Sequence, residues 1–291
     1  AIEYAIDSGV NYFDTARVYG DGLSEIHTGA ILRELRRTDL IVGTKVRVSG
    51  SEFEDISNTV SDQIDNSLRR LGLDTIDIVY THNRIGSERN ISSGTFSLED
   101  LSPVVEVFEA AVKAGKIKYW GFNGLGETGA IKESLNRYSP SAIHTCYNLL
   151  NPTSGYDLPP SFSYQNFEQL MNVASDKGIG TVGIRILAGG ALSGSVERHP
   201  IAQQNVDPIS TSNTFQEDVN KTSDFEFLIS EGFVENFVEA SVRFAISNND
   251  LDTALIGLSN FDQLKQAITY VDRGPLTQEA IDKIRDIWAI T

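Results

Sequence analysis

Cysteine is nearly absent. The 291-residue chain has one, Cys146, which excludes an intrachain disulfide framework and suits a reducing compartment. It falls in the apolar run Ala142-Ile143-His144-Thr145-Cys146 and reads as a buried, inert thiol. Long apolar runs are missing too, and the first residues do not read as a signal peptide, so no membrane partner is expected and a cytoplasmic protein is. Basic residues are scarce: 24 Lys and Arg stand against 40 Asp and Glu, for a formal net charge of −16. That balance argues against nucleic acid and anionic membranes as partners. There is no low-complexity tract, no composition break that would mark a linker, and no expected metal site.

What is present is a repeated alternation. Leu40–Val46, Ile76–His82, Lys118–Phe122, Ala142–Tyr147, Thr181–Ile186 and Thr253–Ile256 are short apolar runs, as is the stretch at Tyr12 and Phe13. Between them lie amphipathic stretches with a 3.6-residue rhythm, such as Ile56, Val60, Ile64, Leu68 and Leu71 in the span 55–71, which Gly72 ends. The span 24–37 predicts a helix whose face is Ile26, Ala30, Ile31 and Leu35, and the span 104–114 predicts another. Continuously apolar strands alternating with helices mean a parallel sheet covered by helices. Seven strand–helix units are readable, one short of a (β/α)8 TIM barrel, as a single domain over residues 1–291. An open doubly wound sheet is the competing architecture, but no Gly-x-Gly-x-x-Gly follows the early strands. The polar segment 197–230 interrupts the rhythm, and its length suggests a mobile cofactor flap rather than a domain.

Polar residues recur where the strands end: Asp14, Lys45, His82, Asn123, His144 and Arg185. In a barrel those ends converge on the active face. An Asp at a strand end is most often a cap or turn former, and a loop tyrosine such as Tyr19 most often packs. Lys45 on a buried strand is harder to explain, because lysine is almost never buried unpaired. Taken together, Asp14, Tyr19, Lys45 and His82 make a proton-donor system. A lysine beside the phenol favours its ionised form, a carboxylate keeps that lysine in place, and a histidine orients a carbonyl oxygen. Hydride has to come from a nicotinamide cofactor, since no side chain supplies it.

Asn11 to Gly20, Gly43-Thr44-Lys45 and Tyr80-Thr81-His82, in this order and context, resemble the aldo-keto reductases. The resemblance continues through Trp120 to Gly124, Tyr147 to Asn151, Leu187 to Leu192 and Ile256 to Asn260, nearly the whole chain. It implies an NAD(P)-dependent oxidoreductase acting on an aldehyde, ketone or sugar hemiacetal. Tyr19 would be the general acid, Lys45 and Asp14 would tune it, and His82 would orient the carbonyl. Asn123 and His144 fall where the family grips the nicotinamide carboxamide. Leu187, Gly189 and Gly190 would pass under the pyrophosphate, with Arg185 beside them, and Ser259, Gln263 and Gln266 match positions holding the adenosine end. Leu258 and Ala267 stand where many relatives carry a basic residue and an Asn, so NADP and NAD both remain open. The alternative is a catalytically weak nucleotide-binding subunit like the β-subunits of voltage-gated potassium channels. The family also places a first strand and most of a helix before the stretch at Ala1, so the barrel is expected to lack them. Substrate identity and oligomeric state carry no readable signal.

Overall fold

The computed structural model describes residues 1–37 and 39–290. The chain falls into two compact units, each described separately. The amino-terminal unit holds residues 2–144 with 178–180, and the carboxy-terminal unit holds 145–177 and the chain from 181 onward.

The amino-terminal unit opens with α1 (Ile2–Asp7), β1 (Tyr12–Asp14), α2 (Leu23–Leu35) and β2 (Ile41–Val46). It continues with α3 (Ile56–Leu71), β3 (Ile76–Thr81), β4 (Arg84–Ile85), β5 (Thr95–Phe96) and α4 (Leu98–Lys113). It ends with β6 (Ile117–Asn123), α5 (Thr128–Tyr138) and β7 (Ala142–Cys146). Parallel pairing runs β1 to β2, β2 to β3, β3 to β6 and β6 to β7. Val42 to Val46 are all buried, as expected of a strand covered on both faces. In register, Asp14 lies opposite Gly43, Lys45 opposite Tyr80, Tyr80 opposite Gly121, and Asn123 opposite His144. That register places the polar strand ends side by side.

Helix α3 forms where its periodicity predicts. The Asp55 side chain accepts from the Asn58 N–H at its start, and Gly72 closes it in the left-handed conformation at φ 63°. Two expectations are corrected. Helix α4 begins at Leu98 rather than Val104, because Ser97 and Asp100 form a capping box that secures the first turn despite Pro103. Helix α2 buries Glu25, Gly29 and Leu32, whereas Ile26 is 43% exposed. The reason is tertiary. Thr44 Oγ1 donates to Glu25 Oε1 at 2.6 Å and Arg70 binds the other oxygen, which makes a fully buried carboxylate tolerable. A Cβ on Gly29 would lie 1.9 Å from the Leu71 carbonyl oxygen, so only glycine allows α2 to approach α3 this closely.

The carboxy-terminal unit contains α6 (Leu170–Asp176), β8 (Gly180–Ile184), a 3-10 turn at Ala188–Ser193, α7 (Phe215–Thr222), α8 (Phe227–Ser230) and α9 (Phe237–Ala245). It ends with β9 (Thr253–Ala254), α10 (Phe261–Asp272) and α11 (Gln278–Ile290). Strands β8 and β9 pair in parallel, Val182 with Thr253 and Gly183 with Ala254. The core gathers Tyr147, Phe244 and Trp288 with aliphatic neighbours. Tyr147 stacks on Phe244 at 4.9 Å between centroids, and Trp288 Nε1 donates to the Leu149 carbonyl at 2.8 Å. Cys146 is buried. The segment 197–230 includes α7 and α8. Thr214 and Glu217 cap α7, and buried Asp218 accepts from Thr211 Oγ1 at 2.7 Å and from the Ser212 N–H at 3.0 Å.

Candidate active site

The amino-terminal unit brings six expected residues together. Lys45, 3% exposed, forms an ion pair with Asp14 and donates from Nζ to the Thr15 carbonyl at 2.9 Å. The same ammonium lies 4.9 Å from the centroid of the Tyr19 ring. Tyr19 is 40% exposed above this buried pair, so its phenol is accessible from outside. His82 meets Tyr19 edge-on, with centroids 5.9 Å apart and planes at 87°. Asn123 Nδ2 donates to the His82 carbonyl at 3.2 Å, which ties the ends of β3 and β6. His144 lies flat on Tyr80, 4.0 Å between centroids, with Nε2 3.9 Å from Asp14 Oδ1.

Burial dominates the electrostatics. It pushes His82 down to about 3, helped by the charges of Lys45 and Arg47, so its imidazole is neutral near pH 7. His144 is held well below the usual histidine range, first by burial and then by Lys45 and His82. Its contact with Asp14 is therefore not an ion pair. Burial also pushes the Asp14 carboxyl up, against the opposing pull of Lys45. Asp14 Oδ1 and His144 Nε2 are buried and have no hydrogen-bond partner among the described residues. Buried polar atoms are rarely left unmatched, so this pair fits a ligand bearing donors and acceptors.

The carboxy-terminal unit carries the remaining expected residues. Arg185 and Ala188 adopt positive φ, 60° and 47°, followed by Gly189 at 70° and Gly190 at 108°. A Cβ on Gly189 would lie 2.5 Å from an Arg185 guanidinium nitrogen, so side chain and turn are in close contact. Gln263 Oε1 accepts from the Ser259 N–H at 2.7 Å, at the start of α10, while Gln266 is exposed one turn later.

Three contacts had no signal in the sequence. The Thr15 carbonyl receives Lys45 through backbone that any residue supplies. Tyr80, under His144, reads as an ordinary strand aromatic; its hydroxyl accepts from Tyr12 Oη at 2.9 Å. Arg198, inside the polar segment, donates from Nη1 to the Gly189 carbonyl at 2.8 Å.

The aldo/keto reductase family model matches residues 1–289. The chain belongs to this family. The chain is similar to L-galactose dehydrogenase of Arabidopsis thaliana, 24% identical across 98% of this chain and 82% of that protein. It is equally similar to a protein of Oryza sativa subsp. japonica described as a probable voltage-gated potassium channel subunit beta, 25% identical across 97% of this chain and 84% of that one. An aldo-keto reductase from Bacillus halodurans in its holo form superposes with a TM-score of 0.72 at 23% identity, covering all of this chain and 86% of the other. That likeness shows the fold, the (β/α)8 barrel, and the described residues of this chain form a seven-stranded sheet. Family membership supports an oxidoreductase that uses a nicotinamide cofactor. Among the described residues no helix is long and apolar enough to cross a membrane.

Proposed function

We propose that the protein interconverts an aldehyde, ketone or sugar hemiacetal with its reduced or oxidised partner, with Tyr19 as general acid and base. The observation carrying this reading is the buried Lys45–Asp14 pair set directly beside an accessible phenol. When bound, NADP or NAD supplies or accepts the hydride. In the reducing direction Tyr19 gives its hydroxyl proton to the oxygen on which negative charge develops, and in the oxidising direction it takes the proton back. Lys45 offsets charge on the phenolate oxygen, and Asp14 holds the ammonium in place. His82 competes poorly for the acid role. A group pushed down to about 3 carries almost no transferable proton near pH 7, so it donates a hydrogen bond to the carbonyl oxygen instead.

Asn123 and His144 would hold the nicotinamide carboxamide, the unmatched His144 nitrogen supplying one contact. Leu187, Gly189 and Gly190 would lie along the pyrophosphate, with Arg185 opposite its charge, and Ser259, Gln263 and Gln266 would take the adenosine end. The positive-φ glycines expose backbone closely enough for such a contact. We further propose that residues 197–230 act as a flap over the cofactor in an otherwise single-domain reductase. The Arg198 tether to Gly189 supports that reading.

Steady-state turnover across aldehydes and aldoses, with each nicotinamide cofactor, tests the proposal. Similarity to the rice channel subunit favours a second reading, a nucleotide-binding regulatory subunit. Tight cofactor binding without turnover of any carbonyl would select it.

A further inference from the structure

Arg47 follows the end of β2, two residues beyond Lys45. Its backbone is unusually well held. Buried Gln63 accepts from the Arg47 N–H at 2.8 Å and donates to the Arg47 carbonyl at 2.7 Å. Buried Asn83 grips the next residue in the same way, accepting from the Val48 N–H at 2.9 Å and donating to its carbonyl at 2.7 Å. Asn83 also reaches the Gly94 carbonyl at 2.8 Å, and the His82 N–H donates to the Val46 carbonyl at 2.7 Å. Two buried amides thus fix this short stretch beside His82.

The guanidinium carried on this backbone is unmatched. Among the described residues the half-buried Arg47 side chain makes no hydrogen bond or ion pair, whereas Arg70 binds Glu25 and Arg89 binds Asp100. A Cβ on Gly94 would lie 3.6 Å from Arg47 Nη2, so the guanidinium lies against the loop that follows His82. Its positive charge acts on His82 itself. Partial burial of a cation costs free energy unless a partner restores its contacts.

The geometry points to Arg47 as the group that receives the carboxylate of an oxo-acid substrate, whose carbonyl lies at Tyr19 and His82. This rests on the oxidoreductase reading above. One planar fork matches the two oxygens of a carboxylate. A phosphate dianion would call for a second cation, and Lys45 is already engaged by Asp14 and Thr15. Against a net charge of −16, which repels anions generally, a single guanidinium carried on this held backbone discriminates between substrates.

The test compares kcat/KM for 4-oxobutanoate and for butanal in wild type, Arg47→Met and Arg47→Lys. Because the readout is a ratio on one preparation, loss of folded protein cancels. Arg47→Met is expected to lower the oxo-acid-to-aldehyde ratio by about 10- to 100-fold, the scale for a charged hydrogen-bonded contact, with partial recovery in Arg47→Lys. A ratio that stays within about twofold of wild type overturns the proposal. Glyceraldehyde 3-phosphate against glyceraldehyde is run in parallel, and a loss confined to that pair overturns the carboxylate assignment. If wild type turns over no carbonyl at all, the oxidoreductase reading has failed, and calorimetric titration with succinate reads the anion site directly. Binding to wild type that is lost in Arg47→Met sustains the site. Equal binding in both proteins, or none in either, overturns it.

Discussion

The rings of His82 and Tyr19 stand perpendicular to each other, with planes at 87° and centroids 5.9 Å apart. This places a neutral imidazole and a phenol around one accessible point, with the Lys45 ammonium 4.9 Å from the phenol ring. Burial holds His82 down at about 3, so its imidazole carries no acid proton near neutral pH, which supports the proposal that Tyr19 is the acid.

Replacing Tyr19 with Phe removes the hydroxyl and keeps the ring. Carbonyl reduction is expected to fall by a factor on the order of 100 or more while cofactor affinity stays near wild type. Turnover and a fluorescence titration of the reduced cofactor on the same protein check this. Near-normal turnover would remove Tyr19 from the acid role.

Lys45→Met leaves Asp14 buried without its cation. Breaking one side of a buried pair costs about 3–5 kcal/mol of stability, and the double variant Lys45→Met, Asp14→Asn is expected to recover part of it. Urea unfolding of the two single variants and the double variant measures the coupling. Strict additivity would mean that the contact contributes nothing to the fold.

Stability is expected to drop on the acid side through His82. Its folded-state value lies near 3, below an unfolded value of about 6.5, so between these the unfolded chain binds a proton that the folded chain refuses. Stability is then full above about pH 6.5 and is lost as pH falls. The loss attributable to this group is about 2 kcal/mol between pH 7 and pH 5. His82→Gln removes the titration, so its unfolding free energy should decline less over that interval. Parallel curves for the two proteins would refute the assignment.

The segment 197–230 should change its susceptibility to protease when cofactor binds. It meets the Gly189 turn through Arg198, which donates to the Gly189 carbonyl, and through Thr222, whose Oγ1 donates to the Ala191 carbonyl at 3.2 Å, while several of its residues between 197 and 207 are exposed. Saturating cofactor is expected to slow cleavage there severalfold, with Arg198→Ala weakening the protection. Equal cleavage rates with and without cofactor would end the flap proposal.

Much of this protein was legible in its sequence because the governing signals are local. Runs such as Ile41 to Val46, and the rhythm from Ile56 to Leu71, report a covered strand and an amphipathic helix without knowledge of their neighbours. Lys45 announced itself for the same reason, since an ionisable group on a buried strand has few structural explanations. Other features waited on contacts between distant residues. Ile26 rather than Glu25 looked like the inward side of α2, because burying Glu25 depends on Thr44 and Arg70. β4 and β5 span two residues each, too short for any period, and α7 is hidden in polar composition until Thr214 and Glu217 cap it. Arg47 is the clearest case. Its residue type says only that it is cationic, whereas Gln63, sixteen positions on, and Asn83, which grips Val48 across thirty-five, hold its backbone and leave its side chain free to take a partner. Periodicity is written along the chain, but which charges are matched depends on residues that only folding brings within a few ångströms.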